Sequence, residues 1–253
     1  MTDHAEQVRQ QFDPQASAYL HSAVHAQGPD LDAARRLLQA RLPPGARVLD
    51  VGCGAGHLSF ALAPLAGSVV ALDPAPGMLE TVAGAAAQRG LHQVRTQAGS
   101  ATRLPFDDRH FDAVATRYSA HHWPDLPAAL QEMRRVLKPG GWLLVIDVMG
   151  ADEPLVDTHL QAIELLRDAS HVRNRDLAQW RALLAAEGFT LAHEARWPLR
   201  LQFTTWIERM RTPAAKAEVI RTLQREAPAE VKAALRIEGD GSFTATTGLL
   251  LAT

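Results

Sequence analysis

Three closely spaced glycines follow a short apolar segment and could hold a ligand against the backbone. Gly52, Gly54 and Gly56 come directly after Arg47–Val51, whose composition is typical of a buried strand. Glycine lacks a Cβ atom and tolerates positive φ angles, so a ligand can reach the free N–H groups at the start of the following helix. A GxGxxG dinucleotide pattern would place its third glycine at position 57, which is His57 here. The spacing therefore favours a different ligand, with a tight strand–helix turn as the alternative.

Two carboxylates accompany the glycines. Asp50 lies two residues before Gly52, where it would repel a pyrophosphate but suit a ligand that carries an ammonium or sulfonium group. Asp73 ends the next apolar segment, Ser68–Leu72, about twenty residues beyond the glycines, where open α/β folds place a carboxylate that accepts both hydroxyls of a ribose. Asp73 and Pro74 could instead form a simple turn. Together with the glycines, the ribose interpretation is favoured.

A pair of histidines, His121 and His122, follows a fourth apolar segment, Phe111–Thr116. This position corresponds to the edge of an open α/β sheet where ligands bind, so either histidine could be a general base or a substrate anchor. Structural histidines that cap a helix are the alternative. Adjacent residues in a strand point in opposite directions, and Cys53 is the one cysteine of the chain, so we predict no metal site.

Further candidates for the wall of a substrate pocket lie outside the predicted sheet. They are His25, His171, Arg173, Arg209 and Arg211. For each of them, a solvated helix face is the alternative, and the arginines do not identify a substrate.

The elements that position these residues alternate between strands and helices. The predicted strands are Arg47–Val51, Ser68–Leu72, Val94–Gln97, Phe111–Thr116, Trp142–Val148, Leu191–Trp197 and Ser242–Leu251. The predicted helices between them are Leu58–Leu65, Pro76–Gln88, Leu126–Val136 and Asp176–Glu187. Strands separated by helices form parallel units with right-handed crossovers, so the pattern predicts a doubly wound α/β sheet.

Helical segments at both ends of the chain could cover the carboxyl edge of the sheet as a lid. The first forty residues are predicted to be helical, with Asp13 as a helix cap followed by Pro14, and residues 204–236 are predicted to form two helices around Pro228. An apolar stripe in the second segment, which includes Trp206 and Ile220, could pack on the sheet, line an apolar pocket or form a dimer contact.

Composition excludes several classes of protein. The chain has 253 residues, of which 47% are hydrophobic and 21% are charged, so it is not a disordered protein. Its net charge of −2 gives no electrostatic reason to expect a nucleic-acid or anionic-membrane partner. A single cysteine suits a reducing compartment, and the beginning of the chain, MTDHAEQVRQ, does not resemble a signal peptide. We expect a soluble cytoplasmic protein with one main domain.

Four ordered blocks identify the chain with a known family. VLDVGCGAGHLSFALAP, VVALDPAPGML, ATRLPFDDRHFDAV and MRRVLKPGGWLLVIDV resemble the class I S-adenosylmethionine (SAM)-dependent methyltransferases of the ubiquinone/menaquinone-methylase-like group. The segments QFDPQASAYLHSAVHAQGPDL, RYSAHHW, SHVRN and MRTP are similar to the YafE-like bacterial methyltransferases. The resemblance implies a doubly wound, seven-stranded Rossmann-like methyltransferase sheet with helical cap segments. It also implies an N-terminal helical cap over residues 1–40 and a SAM-binding domain over residues 41–253, with cap insertions about 152–172 and 204–236.

The same resemblance assigns cofactor-binding roles by position. The residues expected around SAM are Tyr19, Asp50, Gly52, Cys53, Gly54, Asp73, Pro74, Met78, Ser100, Ala101 and Arg117. Asp73 would bind the ribose, and Pro74 and Met78 would pack on the adenine, although Met78 could equally be a core residue. Ser100 departs from the aspartate that the family often has there, which weakens the expected adenine contact.

The implied activity is transfer of a methyl group from SAM to a small-molecule acceptor by in-line displacement, which leaves S-adenosyl-L-homocysteine (SAH). We predict His122 and Arg117 as catalytic residues and no metal. An NAD(P)-dependent oxidoreductase and a non-catalytic SAM-binding module are the alternatives. We expect neither a nucleic-acid nor a membrane partner, and a homodimer is left open.

Overall fold

A computed structural model of the chain describes residues 4–20 and 26–253. Its seven-stranded sheet has the order β3-β2-β1-β4-β5-β7-β6. The strands are β1 (Arg47–Val51), β2 (Ser68–Asp73), β3 (Val94–Ala98), β4 (Phe111–Arg117), β5 (Leu137–Met149), β6 (Leu191–Leu201) and β7 (Phe243–Ala252). The first five strands pair in parallel, and β7 is antiparallel to both β5 and β6. This arrangement confirms the predicted doubly wound, seven-stranded sheet.

Eleven helices in the described part of the chain surround the sheet. They are α1 (His4–Phe12), α2 (Ala16–Leu20), α3 (Pro29–Gln39), α4 (His57–Leu62), α5 (Pro76–Gln88), α6 (Leu126–Val136), α7 (Pro154–Arg167), α8 (Leu177–Ala186), α9 (Phe203–Arg209), α10 (Ala214–Glu226) and α11 (Ala229–Ala234). Among these residues, every helix is too short or too polar to span a lipid bilayer.

The strand order reverses between β1 and β4. Residues Val48–Asp50 of β1 pair with Val69–Ala71 of β2 on one side and with Ala113–Ala115 of β4 on the other. The connections on the two sides run in opposite directions along the sheet. A crevice therefore opens at the carboxyl ends of these strands, which is where open α/β sheets bind their ligands.

The sheet is covered on both faces, as its apolar strands predict. Leu49 and Val114 face a cluster that contains Leu130 of α6 and Trp180 of α8. Val48 belongs to the cluster on the opposite face, which includes residues of α3 and α4. Successive strand residues point to opposite faces, so each strand supplies both clusters. The core thus fixes the carboxyl ends of β1, β2 and β4 from both sides.

The segment 204–236 forms three helices, so the prediction of two was wrong. α9 ends before Arg211, whose φ of 49° is left-handed, and α10 begins after Pro213. A left-handed residue and a proline cannot continue an α-helix, so the chain turns there. The apolar stripe packs internally, since Trp206 and Ile220 join a buried cluster with Leu160.

Asp13 was predicted to cap the helix that follows it, and this prediction was wrong. It lies in a single 3₁₀ turn, Asp13–Gln15, and its Oδ1 accepts a hydrogen bond of 2.6 Å from the backbone N–H of Gly77. Gly77 is in the first turn of α5, where backbone N–H groups have no partner within the helix. Asp13 therefore caps α5 from another part of the chain and fixes the N-terminal helices over the sheet edge.

The strand β5 begins five residues earlier than predicted. Leu137 already pairs with Phe111 of β4, and a register shift separates this pair from the regular ladder that starts at Trp142. The backbone is thus extended immediately after α6, and the glycines that follow Pro139 lie within the irregular part of the strand.

Candidate active site

A cavity of about 700 Å³ occupies the crevice at the carboxyl ends of β1, β2 and β4. Its volume is within the range of small-molecule sites, about 300–1,000 Å³. All of the predicted cofactor-binding residues line it: Tyr19, Asp50, Gly52, Cys53, Gly54, Asp73, Pro74, Met78, Ser100, Ala101 and Arg117. The predicted catalytic His122 lines it as well. Residues spread over 104 positions of the sequence, from 19 to 122, thus meet at one place.

The glycine loop between β1 and α4 is held against β2. The backbone N–H groups of Gly52 and Cys53 both donate to the carbonyl of Leu72, at 2.8 and 3.0 Å. Gly52 has a φ of 69°, and a Cβ atom there would lie 1.9 Å from Oγ of Ser119. Gly54 has a φ of 50°, and a Cβ atom there would have nothing within 4 Å. The first glycine thus allows close packing, while Gly54 borders open space.

Cys53 contributes no reactive thiol to this loop. Burial raises the pKa of its thiol well above the usual value, and the charges of Asp73 and Asp50 add to this effect. The thiol therefore stays protonated and is a poor nucleophile. This agrees with a role for Cys53 through its backbone alone.

Asp73 holds the glycine loop and the following turn together. Its Oδ2 accepts from the backbone N–H of Gly54 at 2.9 Å, and its Oδ1 accepts from that of Ala75 at 3.0 Å. Burial raises the pKa of this carboxyl to about 6. Each carboxylate oxygen can accept two hydrogen bonds, so each retains one acceptor position. The turn interpretation and the ribose interpretation are therefore compatible at this residue.

Asp50 has a buried oxygen without a hydrogen-bond partner. Its Oδ2 accepts from Oγ of Ser59 at 2.7 Å, whereas no atom of the described residues hydrogen-bonds to Oδ1. Burial raises the pKa of this carboxyl to about 7. A buried, unpartnered acceptor is costly unless a ligand pairs with it. A donor with positive charge, such as an ammonium group, would satisfy it.

The side chain of Arg117 is paired with Asp30, a residue that the sequence analysis did not identify. Its Nε donates to Oδ2 of Asp30 in α3 at 2.5 Å, and its guanidinium lies 4.4 Å from the ring centre of Tyr118. A guanidinium does not lose its proton in proteins, so Arg117 cannot be a base. Arg117 lines the cavity, and its predicted catalytic role stays a prediction.

Met78 is a core residue that also lines the cavity. It is 1% exposed and packs in a cluster with Ala16 and Ala75, and it also lines the cavity. Ser100 lies nearby, where its Oγ is 3.1 Å from Oγ1 of Thr102. The expected adenine contacts of both residues stay predictions.

The N-terminal helices cover the cavity and contact the second helical segment. The hydroxyl of Tyr19 donates to Sδ of Met210 at 3.0 Å, and Nε2 of His57 lies 3.0 Å from the carbonyl oxygen of Tyr19. Gln11 adds a hydrogen bond of 3.0 Å to the carbonyl of Met210. Residues 4–20 and the end of α9 therefore form one cover over the site.

A second, smaller chamber of about 70 Å³ adjoins the cavity. Phe12, Tyr19, Tyr118 and His122 line both spaces, so they form the boundary between them. The other residues of the chamber are His121, Val148, Glu164, Arg167, Asp168, Asn174, Leu199, Leu201, Trp206 and Arg209. The predicted pocket residues His121 and Arg209 are therefore brought together here, and the stripe residue Trp206 also contributes to the wall.

Three other predicted pocket residues line neither space. Nε2 of His171 lies 2.9 Å from Oε1 of Gln161, and Arg173 is partly exposed and paired with Asp157 at 3.0 Å. Arg211 donates to the carbonyl of Pro14. Each of the three side chains is engaged outside the two spaces, and their predicted roles in a substrate pocket stay predictions. His25 lies outside the described residues.

The histidine pair lies in a 3₁₀ turn, Ala120–His122, and not in a strand. The two rings are therefore side by side, with their centres 4.1 Å apart, which corrects the expectation that they point in opposite directions. Nδ1 of His121 lies 2.6 Å from Oδ1 of Asp147, and Nδ1 of His122 lies 3.2 Å from the carbonyl oxygen of Ser170. Asp147 was missed in the sequence, although it is a lone acid within the apolar WLLVIDV segment.

The protonation tendencies of the histidines differ. Burial alone would lower the pKa of His121, but the charge and hydrogen bond of Asp147 outweigh burial and raise it. Burial and the charge of His121 lower the pKa of His122 to about 4, and the same two causes lower that of His171 to about 3. His121 is thus the member of the cluster that accepts a proton most readily.

Within residues 4–20 and 26–253, no group of three or more His, Cys, Asp or Glu side chains is arranged to hold a metal ion. The metal-free site stays a prediction.

Comparison with known proteins identifies the family. A family model described as a methyltransferase domain matches residues 49–145. YafE of Escherichia coli, an uncharacterized protein, is 44% identical over 193 residues, which are 76% of this chain and 93% of that protein. The crystal structure of YcgJ from Bacillus subtilis has a TM-score of 0.83 and 32% identity, and it covers 88% of this chain and 97% of its own.

A third relative is similar over less than half of the chain. The 2-phytyl-1,4-naphtoquinone methyltransferase of Synechococcus elongatus is 39% identical over 117 residues, which are 45% of this chain and 50% of that protein. The seven-stranded fold agrees with the structural match. The chain therefore belongs to the methyltransferase family, as a YafE-like class I SAM-dependent methyltransferase.

Proposed function

We propose that this enzyme methylates a small-molecule acceptor in the space formed by the 700 Å³ cavity and its adjoining chamber. The observation that carries the proposal is the buried, unpartnered Oδ1 of Asp50, a residue that lines the cavity together with Gly54, where the glycine loop is open. This oxygen could accept a hydrogen bond from the amino group of the methionine moiety of SAM. When bound, SAM supplies an activated methyl group, so the transfer needs no metal.

Different residues of the cavity would bind different parts of SAM. Asp50 would pair with the amino group, and Asp73 would accept hydrogen bonds from the ribose hydroxyls through its two remaining acceptor positions. The backbone at Gly52 and Gly54 would allow close approach, and Met78 would pack on the adenine. These assignments agree with the charge and burial of each group.

The chain's own contribution is orientation and exclusion of water. Asp30 fixes Arg117 in the wall of the cavity. The hydrogen bonds of Asp13 and Tyr19 hold residues 4–20 over the cavity. A closed cover keeps water away from reacting groups and fixes their approach. We propose accordingly that residues 1–40 act as the cap of a SAM-binding domain over 41–253, with cap insertions about 152–172 and 204–236.

The chamber supports a small-molecule acceptor. With about 70 Å³ and walls from helices, strands and connecting segments, it cannot admit a folded polymer. One relative named above acts on a naphthoquinone according to its name, which is also a small molecule. The near-neutral charge of this chain supports the same proposal over a nucleic-acid acceptor.

Isothermal titration calorimetry with SAM, SAH, NAD and NADP tests the ligand. We expect SAM and SAH to bind, with no comparable binding of the dinucleotides, because Asp50 would repel a pyrophosphate. Binding of NAD without SAH would overturn the proposal.

The acceptor class is tested with SAM that carries a tritiated methyl group. The enzyme is incubated with a cell extract that has been separated into small-molecule, protein and nucleic-acid fractions, with and without EDTA. We expect label in the small-molecule fraction and no effect of EDTA, whereas the Asp73→Ala variant should transfer much less. Label confined to protein or nucleic acid would contradict the proposal.

A further inference from the structure

We propose that Ser59 is a positioning residue for the cofactor, an inference that rests on the proposed function. Its buried hydroxyl binds Oδ2 of Asp50, keeps Oδ1 for the ammonium group of SAM, and lowers the pH at which the cofactor binds. Ser59 is not among the described residues that line the cavity, so it acts on the cofactor through Asp50.

The hydroxyl of Ser59 and the carboxylate of Asp50 form a hydrogen bond in the interior of the protein. Oγ of Ser59 donates to Oδ2 of Asp50 at 2.7 Å, and the two residues are 0% and 1% exposed. A serine hydroxyl has one O–H donor, and this bond uses it. Oδ1 has no hydrogen-bond partner among the described residues, so it is the oxygen that remains for a ligand.

The helix α4 holds Ser59 in place. The carbonyl of Ser59 accepts from the backbone N–H of Ala63 at the end of the helix. Its neighbours Leu58 and Leu62 are 2% and 0% exposed and belong to the apolar cluster on one face of the sheet. Asp50 is fixed as well, since it lies within β1, which pairs with strands on both sides. Because both backbones are fixed, the hydrogen bond also fixes the orientation of the Asp50 carboxylate.

The same hydrogen bond favours the ionised form of Asp50. Burial raises the pKa of its carboxyl to about 7, and the side-chain and backbone hydrogen bonds of Ser59 act in the opposite direction. A hydrogen bond to the charged form of an acid stabilises that form. Without the hydroxyl of Ser59, Asp50 would keep its proton to a higher pH. A protonated carboxyl has no charge to pair with an ammonium group, so the cofactor would bind more weakly at pH 7.

Other titratable groups near Asp50 change their charge little above pH 7. The charge of Asp73, whose own pKa is raised by burial to about 6, raises the pKa of Asp50, and the charge of Arg117 lowers it. Burial keeps the thiol of Cys53 protonated and lowers the pKa of His57, so its ring is neutral. Above pH 7, Asp50 is therefore the member of this set whose charge changes most.

Binding of the cofactor should consequently release protons. At pH 7, a carboxyl with a pKa of about 7 is protonated in about half of the unliganded molecules. The ammonium group pairs with the ionised form, so each binding event releases about half a proton on average. Removal of the Ser59 hydroxyl increases the protonated fraction before binding. It should therefore weaken binding and increase proton release together, whereas a general disturbance of the fold would weaken binding alone.

The experiment measures SAH binding by calorimetry at pH 7 in buffers of different ionisation enthalpy, which gives both the affinity and the number of protons released. If the pKa of Asp50 rises by about one unit, Ser59→Ala should bind SAH about fivefold more weakly and release close to one proton. Its affinity should reach half of its maximum at a pH about one unit above that of the wild type. Ser59→Cys has a similar size and a weaker donor, so both quantities should lie between those of the wild type and Ser59→Ala.

A control and a second background show whether Ser59 acts through Asp50. Thr116→Val also removes a hydroxyl from a residue that is 1% exposed and does not line the cavity. It should keep SAH affinity within about twofold of the wild type and leave proton release unchanged. In an Asp50→Asn background, proton release should nearly vanish, and Ser59→Ala should change SAH affinity by less than about twofold.

The outcomes separate this inference from the proposed function. Wild-type affinity and proton release in Ser59→Ala would overturn the inference, as would weaker binding without additional proton release. An equal loss of affinity when Ser59→Ala is introduced into Asp50→Asn would overturn it too, because Ser59 would then act independently of the carboxylate. Absence of SAH binding to the wild type would instead overturn the proposed function itself.

Discussion

The guanidinium of Arg117 and the carboxylate of Asp30 form a buried ion pair, with Nε and Oδ2 2.5 Å apart and side chains 4% and 5% exposed. The pair joins the end of β4 to the first turn of α3, across 87 residues of sequence. It lies at the wall of the cavity that we assign to SAM. The helix α3 is thus connected to the wall of the cavity by an ion pair as well as by apolar packing.

Removal of Asp30 should destabilise the protein strongly. Asp30→Ala leaves the guanidinium of Arg117 buried without its carboxylate, and such losses cost about 3–5 kcal/mol. Urea denaturation should show this decrease in the free energy of unfolding. The exposed residue Asp107 offers a matched control, and Asp107→Ala should stay within about 0.5 kcal/mol of the wild type. Equal stability of the two variants would show that the buried pair contributes little.

Two glycines of the same loop should respond differently to alanine. Alanine at either position should lower the free energy of unfolding by about 1–2 kcal/mol, because its Cβ atom disfavours the left-handed backbone. At Gly52 the new Cβ atom would also overlap Oγ of Ser119, so Gly52→Ala should lose clearly more unfolding free energy than Gly54→Ala. Thermal denaturation and SAH calorimetry of both variants measure this. Gly54→Ala should stay folded and still bind SAH at least tenfold more weakly, because its Cβ atom borders the cavity. The reverse order of stability would contradict the loop geometry.

Local sequence was sufficient to predict the glycine loop, the carboxylates beside it and the alternation of strands with helices. These features depend on spacing within one strand–helix–strand unit, and Asp50, Gly54 and Asp73 all line one cavity.

Contacts between distant segments could not be predicted in this way. Asp13 was interpreted as a cap of its own helix, whereas it binds Gly77, 64 residues away. The partner of His121 is Asp147, 26 residues away, and a lone acid in an apolar strand gives no information about which side chain it meets. The turn that contains the histidine pair also has no strong local signal, so the relative orientation of the two rings became known only from the fold.

The stability of the unliganded protein should depend on Asp50 between pH 4 and 7. Burial raises the pKa of its carboxyl from 3.8 to about 7, so the folded chain keeps a proton that the unfolded chain has lost. Stability from this group is therefore present at low pH and decreases as the pH rises from about 4 to about 7. Urea denaturation of the wild type and Asp50→Asn at several pH values isolates this slope, which the variant should lack. Parallel slopes would show that Asp50 is ionised in the folded protein across this range.

SAH binding should show the opposite dependence on pH. The ammonium group of the ligand pairs with the ionised carboxylate, so affinity should increase about tenfold between pH 6 and pH 8 for a group with a pKa of about 7. Asp50→Asn should bind SAH more weakly and with a flatter profile. A pH-independent affinity in the wild type would remove Asp50 from the pairing.

The most direct test of the SAM site is a comparison of two ligands in two proteins, measured by calorimetry: SAH and its 2′-deoxy analogue, with the wild type and Asp73→Asn. Asp73→Ala should weaken SAH binding by about 2–3 kcal/mol, roughly 30- to 150-fold, since hydrogen bonds to a charged group contribute about 1.5–3 kcal/mol each and water replaces part of the loss. The Asp73→Ala variant also loses the hydrogen bonds to Gly54 and Ala75, so it does not isolate the contribution of the ribose.

In the comparison of SAH with its 2′-deoxy analogue, removal of the 2′-hydroxyl should weaken binding to the wild type at least fivefold and should have much less effect on Asp73→Asn. The same loss in both proteins would mean that Asp73 does not contact the ribose, and that it serves the glycine loop alone.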